Sequence, residues 1–325
     1  MLKKLTAMAT ILAATQSFAD CEVDREIRFA GMNWLSNMVM VDIERTILEK
    51  GYGCKTAIET GGTLPMLTAL VRGDVDVMSE GWINSIEEPF TKAVNEGKVK
   101  SLGDVYSGGV ETWWIPKYVA DKNPGLKSVA DLPKYKELFL DPEEPGKGRF
   151  YNCPAGWVCE IINSNLFKAF GLEDDYLLYS PGTGAALDAA LSSAMKRKRN
   201  VVFYYWTPTP LAGKFDLVPL EMPAYNAEGH LCNARSDCET PYAGAYPKAR
   251  VETAVGTPFA NEAPELTKFL DNVSLPTQTV SELLAWADDN SAESSEVAEH
   301  FLKTQPQIWQ QWVPADVAKK LNASL

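Results

Sequence analysis

Residues 151–160, YNCPAGWVCE, set a tryptophan between two nearby cysteines. A bridge between Cys153 and Cys159 closes a short, stiff loop in which Pro154 and Gly156 supply the turn geometry, and such a loop presents Trp157 rather than burying it. Its chemistry is that of a fixed aromatic wall. The same residues also suit a structural bridge with Trp157 packed beneath it, and the loop alone leaves both readings open. Three further tryptophans bear on the choice: Trp34 in Met32-Asn33-Trp34, Trp82 in Glu80-Gly81-Trp82, and Trp206 in the FYYWTP run.

Indole faces are electron-rich, and a cation held over several of them gains about 0.5 to 2 kcal/mol per ring, more where water is excluded. A hydrated ammonium loses too much solvation to prefer such a site. A quaternary ammonium, with methyl groups in place of N–H donors, loses little. Several tryptophans with no evident cluster of buried carboxylates therefore select a trimethylammonium group over an amino acid, a sugar or a metal ion.

The elements that carry these tryptophans repeat. Residues 26–31 (EIRFAG) read as a strand, followed by Trp34, by Ser36 as an N-cap and by a helix over 37–50 that stops at Gly51. A strand over 54–59, a helix over 64–72 and a strand over 75–78 lead to Trp82. The second unit has a strand over 148–151, the Trp157 loop, a helix over 158–170, a strand over 177–179, a helix over 185–196 and a buried strand over 201–205 that delivers Trp206. Trp34 and Trp82 are 48 residues apart, and Trp157 and Trp206 are 49 apart. Ligands of open parallel sheets bind outside the carboxyl ends of the strands. Two such units facing each other enclose a small volume between indole faces. A lone tryptophan after a strand is more often core, but four at matched places favour a cage.

Other segments say less. Residues 101–115 (SLGDVYSGGVETWWI) read as a crossover of extended chain through a glycine pair, and residues 121–145 hold a helix near Ser128. After a short passage over 218–222, residues 223–247 form a sparse excursion containing Cys232 and Cys238, of the length that usually marks a functional flap. A strand near 251–255 and helices around 265–271, 280–289 and 294–303 complete the chain. Trp286, Trp309 and Trp312 sit in amphipathic helical context, which reads as core.

Lys3 and Lys4, an apolar run over 5–14 and Ser17-Phe18-Ala19 are the three parts of a secretory signal peptide over residues 1–19, and the apolar run is too short to span a bilayer. The mature chain then starts at Asp20. Cys21 is not preceded by the small residue that lipid attachment wants. Six cysteines in an exported chain read as a disulfide set. Sequence order allows fifteen pairings; locality selects Cys153–Cys159 and Cys232–Cys238 and leaves Cys21–Cys54, which would staple the starts of the first two strands. His230 and His300 are the only histidines, a poor inventory for a zinc site or a Ser-His-Asp triad. The formal charge of −12 becomes −14 once Lys3 and Lys4 leave with the signal peptide, which argues against nucleic acid and anionic membranes as partners.

With these residues assembled, the chain resembles the periplasmic binding proteins of ABC transporters for glycine betaine, proline betaine, choline and related compounds. The CPAGWVC loop, Glu80-Gly81-Trp82, the FYYWTP run and Met32-Asn33-Trp34 carry the likeness, across essentially the whole mature chain. The resemblance implies an α/β, two-lobe type II fold, each lobe a mostly parallel sheet flanked by helices, with the ligand in the interlobe cleft. It divides the chain into a first lobe over 20–112, a second over 113–214 and a return to the first over 215–325. It further implies a monomer in the periplasm that delivers its ligand to an inner-membrane permease and performs no catalysis.

Two departures from such proteins bear on the ligand. Betaine-binding relatives place a histidine shortly after the tryptophan matching Trp82, where residues 83–87 (INSIE) have none. Choline-binding relatives place an aspartate two residues after the tryptophan matching Trp34, where this chain has Ser36. Glu111, followed by Thr112-Trp113-Trp114, falls where the crossover lines the pocket. As a neutral acid it would donate a hydrogen bond to the oxygen of trimethylamine N-oxide, while as a solvated strand residue it would do nothing. The expected site is then Trp34, Trp82, Trp157 and Trp206, with Trp113 as a fifth wall and Glu111 as the polar contact. Glycine betaine is the close alternative, its carboxylate taken by the backbone N–H groups of Val158 and Cys159 at a helix start; choline and carnitine belong to the same class. A secreted glycoside hydrolase is the rival of another class, since two carboxylates and a tryptophan-lined site would serve it. No cofactor is expected, although Asp237 and Glu239 offer oxygen ligands for a structural calcium ion.

Overall fold

The computed structural model describes residues 21–325, so the expected signal peptide and Asp20 lie outside the described residues. Two five-stranded sheets organise the chain. The first begins with β1 (Glu26–Met32), α1 (Leu35–Thr46) with a π-helical continuation over Ile47–Gly51, β2 (Lys55–Gly61), α2 (Thr63–Arg72) and β3 (Val77–Trp82). α2 stops at Gly73, whose φ of 80° is the left-handed conformation that a helix end favours in glycine. A 3₁₀ turn over Ile83–Ile86, α3 (Glu87–Asn95) and β4 (Val99–Tyr106) follow.

The chain then crosses. β5 (Val110–Pro116) opens the second sheet, followed by α4 (Lys117–Lys122), a 3₁₀ stretch over Val129–Phe139 capped by Ser128, β6 (Gly148–Tyr151), α5 (Val158–Ala169), β7 (Tyr176–Tyr179), α6 (Gly184–Lys196), β8 (Val202–Thr207), α7 (Pro210–Lys214) and β9 (Leu217–Pro219). It returns through α8 (Ala227–Asn233) to β10 (Val251–Gly256) in the first sheet. Six helices close the first lobe: α9 (Thr257–Glu262), α10 (Pro264–Asn272), α11 (Thr277–Asn290), α12 (Ser294–Thr304), α13 (Pro306–Trp309) and α14 (Ala315–Asn322).

The strand orders are β2-β1-β3-β10-β4 and β7-β6-β8-β5-β9. In each sheet three strands run parallel, and the crossing strands add antiparallel pairings, β10 with β3 and β4 in one sheet and β5 with β8 and β9 in the other. The sheets are therefore mixed, because a chain that visits the other lobe comes back in the opposite direction. The parallel strands read as apolar runs because helices cover both faces. Phe29, Val77, Phe150 and Phe203 are all fully buried.

Sheet membership moves the expected divisions. β5 starts at Val110 and β9 reaches Pro219, so the chain changes sheets over residues 107–109 and 220–250 rather than at 112/113 and 214/215. Pairing decides this, since Glu111 and Thr112 already lie opposite Trp206 and Tyr205.

The excursion packs mainly on the second lobe. Asn165 on α5 donates to the carbonyls of Asn233 and Arg235 at 2.9 and 2.8 Å, and the Tyr246 hydroxyl donates to Asn163 Oδ1 at 2.7 Å. Its reach to the first lobe includes His230 Nε2, 3.2 Å from the Asn84 carbonyl. The three disulfides are Cys21–Cys54, Cys153–Cys159 and Cys232–Cys238. Trp309 and Trp312 are core, and Trp286 stacks at 4.0 Å on His300.

Candidate functional site

Each lobe contributes two tryptophans from the carboxyl ends of its parallel strands. Trp34 follows β1 as the N-cap of α1, and Trp82 ends β3. The expected cap, Ser36, lies inside the first turn instead, and its hydroxyl donates to Glu80 Oε1 at 2.7 Å. Asn37 ties the two strand ends together, accepting from Met32 N and donating to the Ser79 carbonyl, both at 2.7 Å.

Across the cleft, Trp157 is the N-cap of α5, and Trp206 lies near the end of β8. Gly156 precedes Trp157 with φ of 88°, a left-handed conformation that lets the disulfide-closed loop turn into the helix. Gly184, at the start of α6, leaves room for the Trp157 ring, since a Cβ there would stand 3.0 Å from it.

The four indoles meet. Trp157 stands edge-on to Trp34, with ring centroids 5.1 Å apart, and edge-on to Trp206 at 5.3 Å, the planes at 71° in both cases. Trp34 and Trp206 thus flank Trp157 as walls flank a floor. Together with Trp82, Thr63, Ser85, Val158, Cys159, Glu111 and Tyr204 they line a narrow cavity of about 30 Å³. Exposure of the four indoles is only 5–8 %, so a ligand among them sheds nearly all of its water.

Glu111 supplies the cavity's carboxyl group. It lies opposite Trp206 in the β5–β8 pairing, and the Tyr204 hydroxyl donates to its Oε1 at 2.6 Å. Burial pushes the Glu111 carboxyl up to about 7, with the Tyr204 hydrogen bond pulling the other way. Near neutral pH this group exists in both forms and is able to donate or accept. The N-terminus of α5 also opens on the cavity through Val158 and Cys159, whose first-turn N–H groups have no acceptor within the helix.

Trp113 is not a fifth wall. It shares a face of β5 with Glu111 but sits two residues further along the strand, beneath α5. There its ring meets Phe150 at 4.4 Å and its Nε1 donates to Asn163 Oδ1 at 2.7 Å, leaving it with no exposure. The calcium expectation also meets a correction: Asp237 is exposed and paired with Arg235 at 3.0 Å, and Glu239 is exposed. Among the described residues no group of three His, Cys, Asp or Glu could hold a metal ion.

Sequence reasoning missed Tyr204, Thr63, Ser85 and Glu80. Tyr204 had a signal, being two residues before Trp206 on one strand and hence on the same face. Glu80 had none, because its direction depends on an irregularity in β3. Ser79 and Glu80 oppose the single residue Thr253 of β10, a bulge that re-aims the Glu80 side chain, and Glu80 has a φ of 51°. The first lobe's indoles converge on it: Trp34 Nε1 donates to Oε1 at 2.7 Å and Trp82 Nε1 at 3.3 Å.

Residues 25–304 match the family described as the substrate binding domain of ABC-type glycine betaine transport systems. The chain belongs to that family. Over 317 residues this substrate-binding domain is 24 % identical to the trimethylamine N-oxide-binding protein of Pelagibacter ubique (strain HTCC1062), covering 95 % of this chain and 98 % of that one. Over 325 residues it is 24 % identical to the glycine betaine/proline betaine-binding periplasmic protein of Escherichia coli (strain K12), covering 95 % of each. Among solved structures, an ABC-transporter choline binding protein in complex with choline has a TM-score of 0.73 at 21 % identity, covering 92 % of this chain and 97 % of that one. The fold is that of the type II periplasmic binding proteins, and no helix among the described residues is long and apolar enough to cross a membrane.

Proposed function

We propose that this substrate-binding protein captures a compound with a trimethylated nitrogen between Trp34, Trp82, Trp157 and Trp206, and that the compound is trimethylamine N-oxide. The observation that carries the choice is Glu111, a buried acid raised to about 7 that lines the same cavity as the indoles. As the neutral acid it donates to the N-oxide oxygen while Tyr204 supports its other lone pairs. A ligand carboxylate would meet repulsion there once Glu111 ionises, and none of the residues lining the cavity is basic. The match to a relative named for trimethylamine N-oxide supports the same reading.

Glycine betaine is the second reading, favoured by the open N–H groups of Val158 and Cys159, where a helix start would receive its carboxylate. In either case the protein works in the periplasm as a monomer of two lobes. It closes on its ligand, hands it to a membrane permease and performs no catalysis.

Calorimetry with trimethylamine N-oxide, glycine betaine, choline and carnitine tests the ligand class, and absence of heat with all four refutes it. Glu111→Gln keeps a donor and accepts from Tyr204, so N-oxide binding is expected to persist and to lose its dependence on pH near 7. A variant that prefers betaine as the wild type does, or a wild type that prefers it outright, moves the choice to the second reading.

A further inference from the structure

Glu80 lines no part of the cavity, yet it holds two of its walls. The indole N–H groups of Trp34 and Trp82 and the Ser36 hydroxyl point at one oxygen, Oε1, at 2.7 to 3.3 Å. The other oxygen, Oε2, is buried beside the Tyr106 hydroxyl, which is buried with it and has no other acceptor. Glu80 itself has no exposure. A carboxyl group surrounded on one side by three donors is arranged for the ionised form. The charge so placed lies at the N–H edges of Trp34 and Trp82, whose rings line the cavity.

We propose that Glu80 is the positioning residue that sets the charge preference of the box: its carboxylate fixes both first-lobe indoles by their edges and, through them, favours a positively charged centre over a neutral one of the same shape. This rests on the reading of the cavity as a site for trimethylated nitrogen. In the low-dielectric interior a fixed negative charge one ring away from the ligand acts with little screening, and indole rings held by charge-assisted hydrogen bonds need no reordering on binding. The bulge at Ser79 and Glu80 puts the group there at the cost of a left-handed backbone at a residue other than glycine, a strain that persists where the surrounding structure enforces it.

The titratable groups around Glu80 are Glu44 on α1, which accepts from the hydroxyl of the neighbouring Ser79, Tyr106 on β4 and, beyond Tyr106, Glu111 on β5. None is basic. Burial raises the Glu80 carboxyl to about 7, so a bound cation that stabilises its ionised form expels a proton near neutral pH.

Tetramethylammonium and tert-butanol present three methyl groups on a charged and on a neutral centre. In the wild type the first binds more tightly. Glu80→Gln keeps an oxygen that accepts from both indoles, and is expected to lower the ratio of the two affinities about tenfold or more. A merely structural role would weaken both ligands alike and leave the ratio unchanged, and that result overturns the proposal. If the Gln variant does not fold, Glu44→Gln/Glu111→Gln protein, in which Glu80 is the remaining buried acid of this group, answers the same question. Its binding of tetramethylammonium from pH 5 to pH 9, followed by calorimetry in buffers of different ionisation enthalpy, is expected to release a fraction of a proton over the range in which Glu80 titrates, and no release at any pH overturns the proposal. A wild type that binds no methylated nitrogen compound overturns the ligand reading itself, whereas normal wild-type binding with an unchanged ratio in the variant overturns the role of Glu80 alone.

Discussion

Trp157 Nε1 donates a 2.7 Å hydrogen bond to Asn33 Oδ1, so an indole of the second lobe is fastened to the residue that precedes an indole of the first. The bond exists only when the lobes are together, and it fixes the ring that stands edge-on to both Trp34 and Trp206. Removing its acceptor by Asn33→Ala is expected to weaken ligand binding by about 0.5–1.5 kcal/mol, the usual net worth of such a bond, with little change in the melting temperature of the free protein. Calorimetry and a thermal melt measure the two. An affinity equal to the wild type removes this contact from the account of closure.

Gly62 and Gly156 form a second seam between the lobes. A Cβ on Gly62 would stand 2.5 Å from the Gly156 carbonyl oxygen, while its own φ of −78° suits any residue. Gly62→Ala should therefore leave each lobe intact and hold the cleft ajar. Lower affinity is expected, together with a larger radius of gyration by small-angle scattering at saturating ligand. Unchanged scattering and affinity would show that the lobes accommodate the methyl group.

Trp206 and Trp113 separate wall from core. Trp206→Ala should cost about 1–3 kcal/mol of binding and less in stability, because its face borders the cavity. Trp113→Ala removes a ring packed between Phe150, Phe167 and Phe170 and one of the two donors to Asn163 Oδ1, so about 3–5 kcal/mol of stability is expected to go. Urea unfolding beside calorimetry distinguishes them, and the reverse ranking contradicts the structure.

Buried acids give folding a pH dependence of definite sign. Burial raises Glu44 to about 8, and Glu80 and Glu111 to about 7, from an ordinary 4.5. The folded state then holds more protons than the unfolded chain above about pH 4.5. The stability these groups contribute is complete below that pH and is lost as pH rises through 7 and 8. Glu44→Gln, which still accepts from the Ser79 hydroxyl, should melt near the wild type at pH 4 and progressively above it as pH rises to 8.5. Parallel melting curves across that range would mean that Glu44 titrates normally.

Much of this architecture was legible in the sequence, because parallel strands covered on both faces write themselves as short apolar runs and the four box tryptophans sit just past their ends. Trp157 was legible for a local reason, its cysteine-bounded loop. Trp113 misled because a strand's alternation tells which face a residue takes but not how far along the strand the cleft ends and the helix begins. Glu80 was hidden for a related reason. Its aim comes from a mismatch between β3 and a strand that arrives some 170 residues later, and no local pattern records such a pairing. The sheet boundaries were displaced because extended chain at residues 107–116 looks the same whether it pairs or merely connects.

The two passages between the sheets differ in a way that governs how the molecule must move. One is the three residues 107–109; the other is residues 220–250, with a helix and a disulfide of its own. A tether that short permits rotation but almost no translation, so the axis of opening has to pass close to Gly108 and Gly109. The long passage rides with the second lobe and meets the first at contacts such as His230 with the Asn84 carbonyl, which opening has to part, so the cleft gapes like a purse rather than parting like two plates.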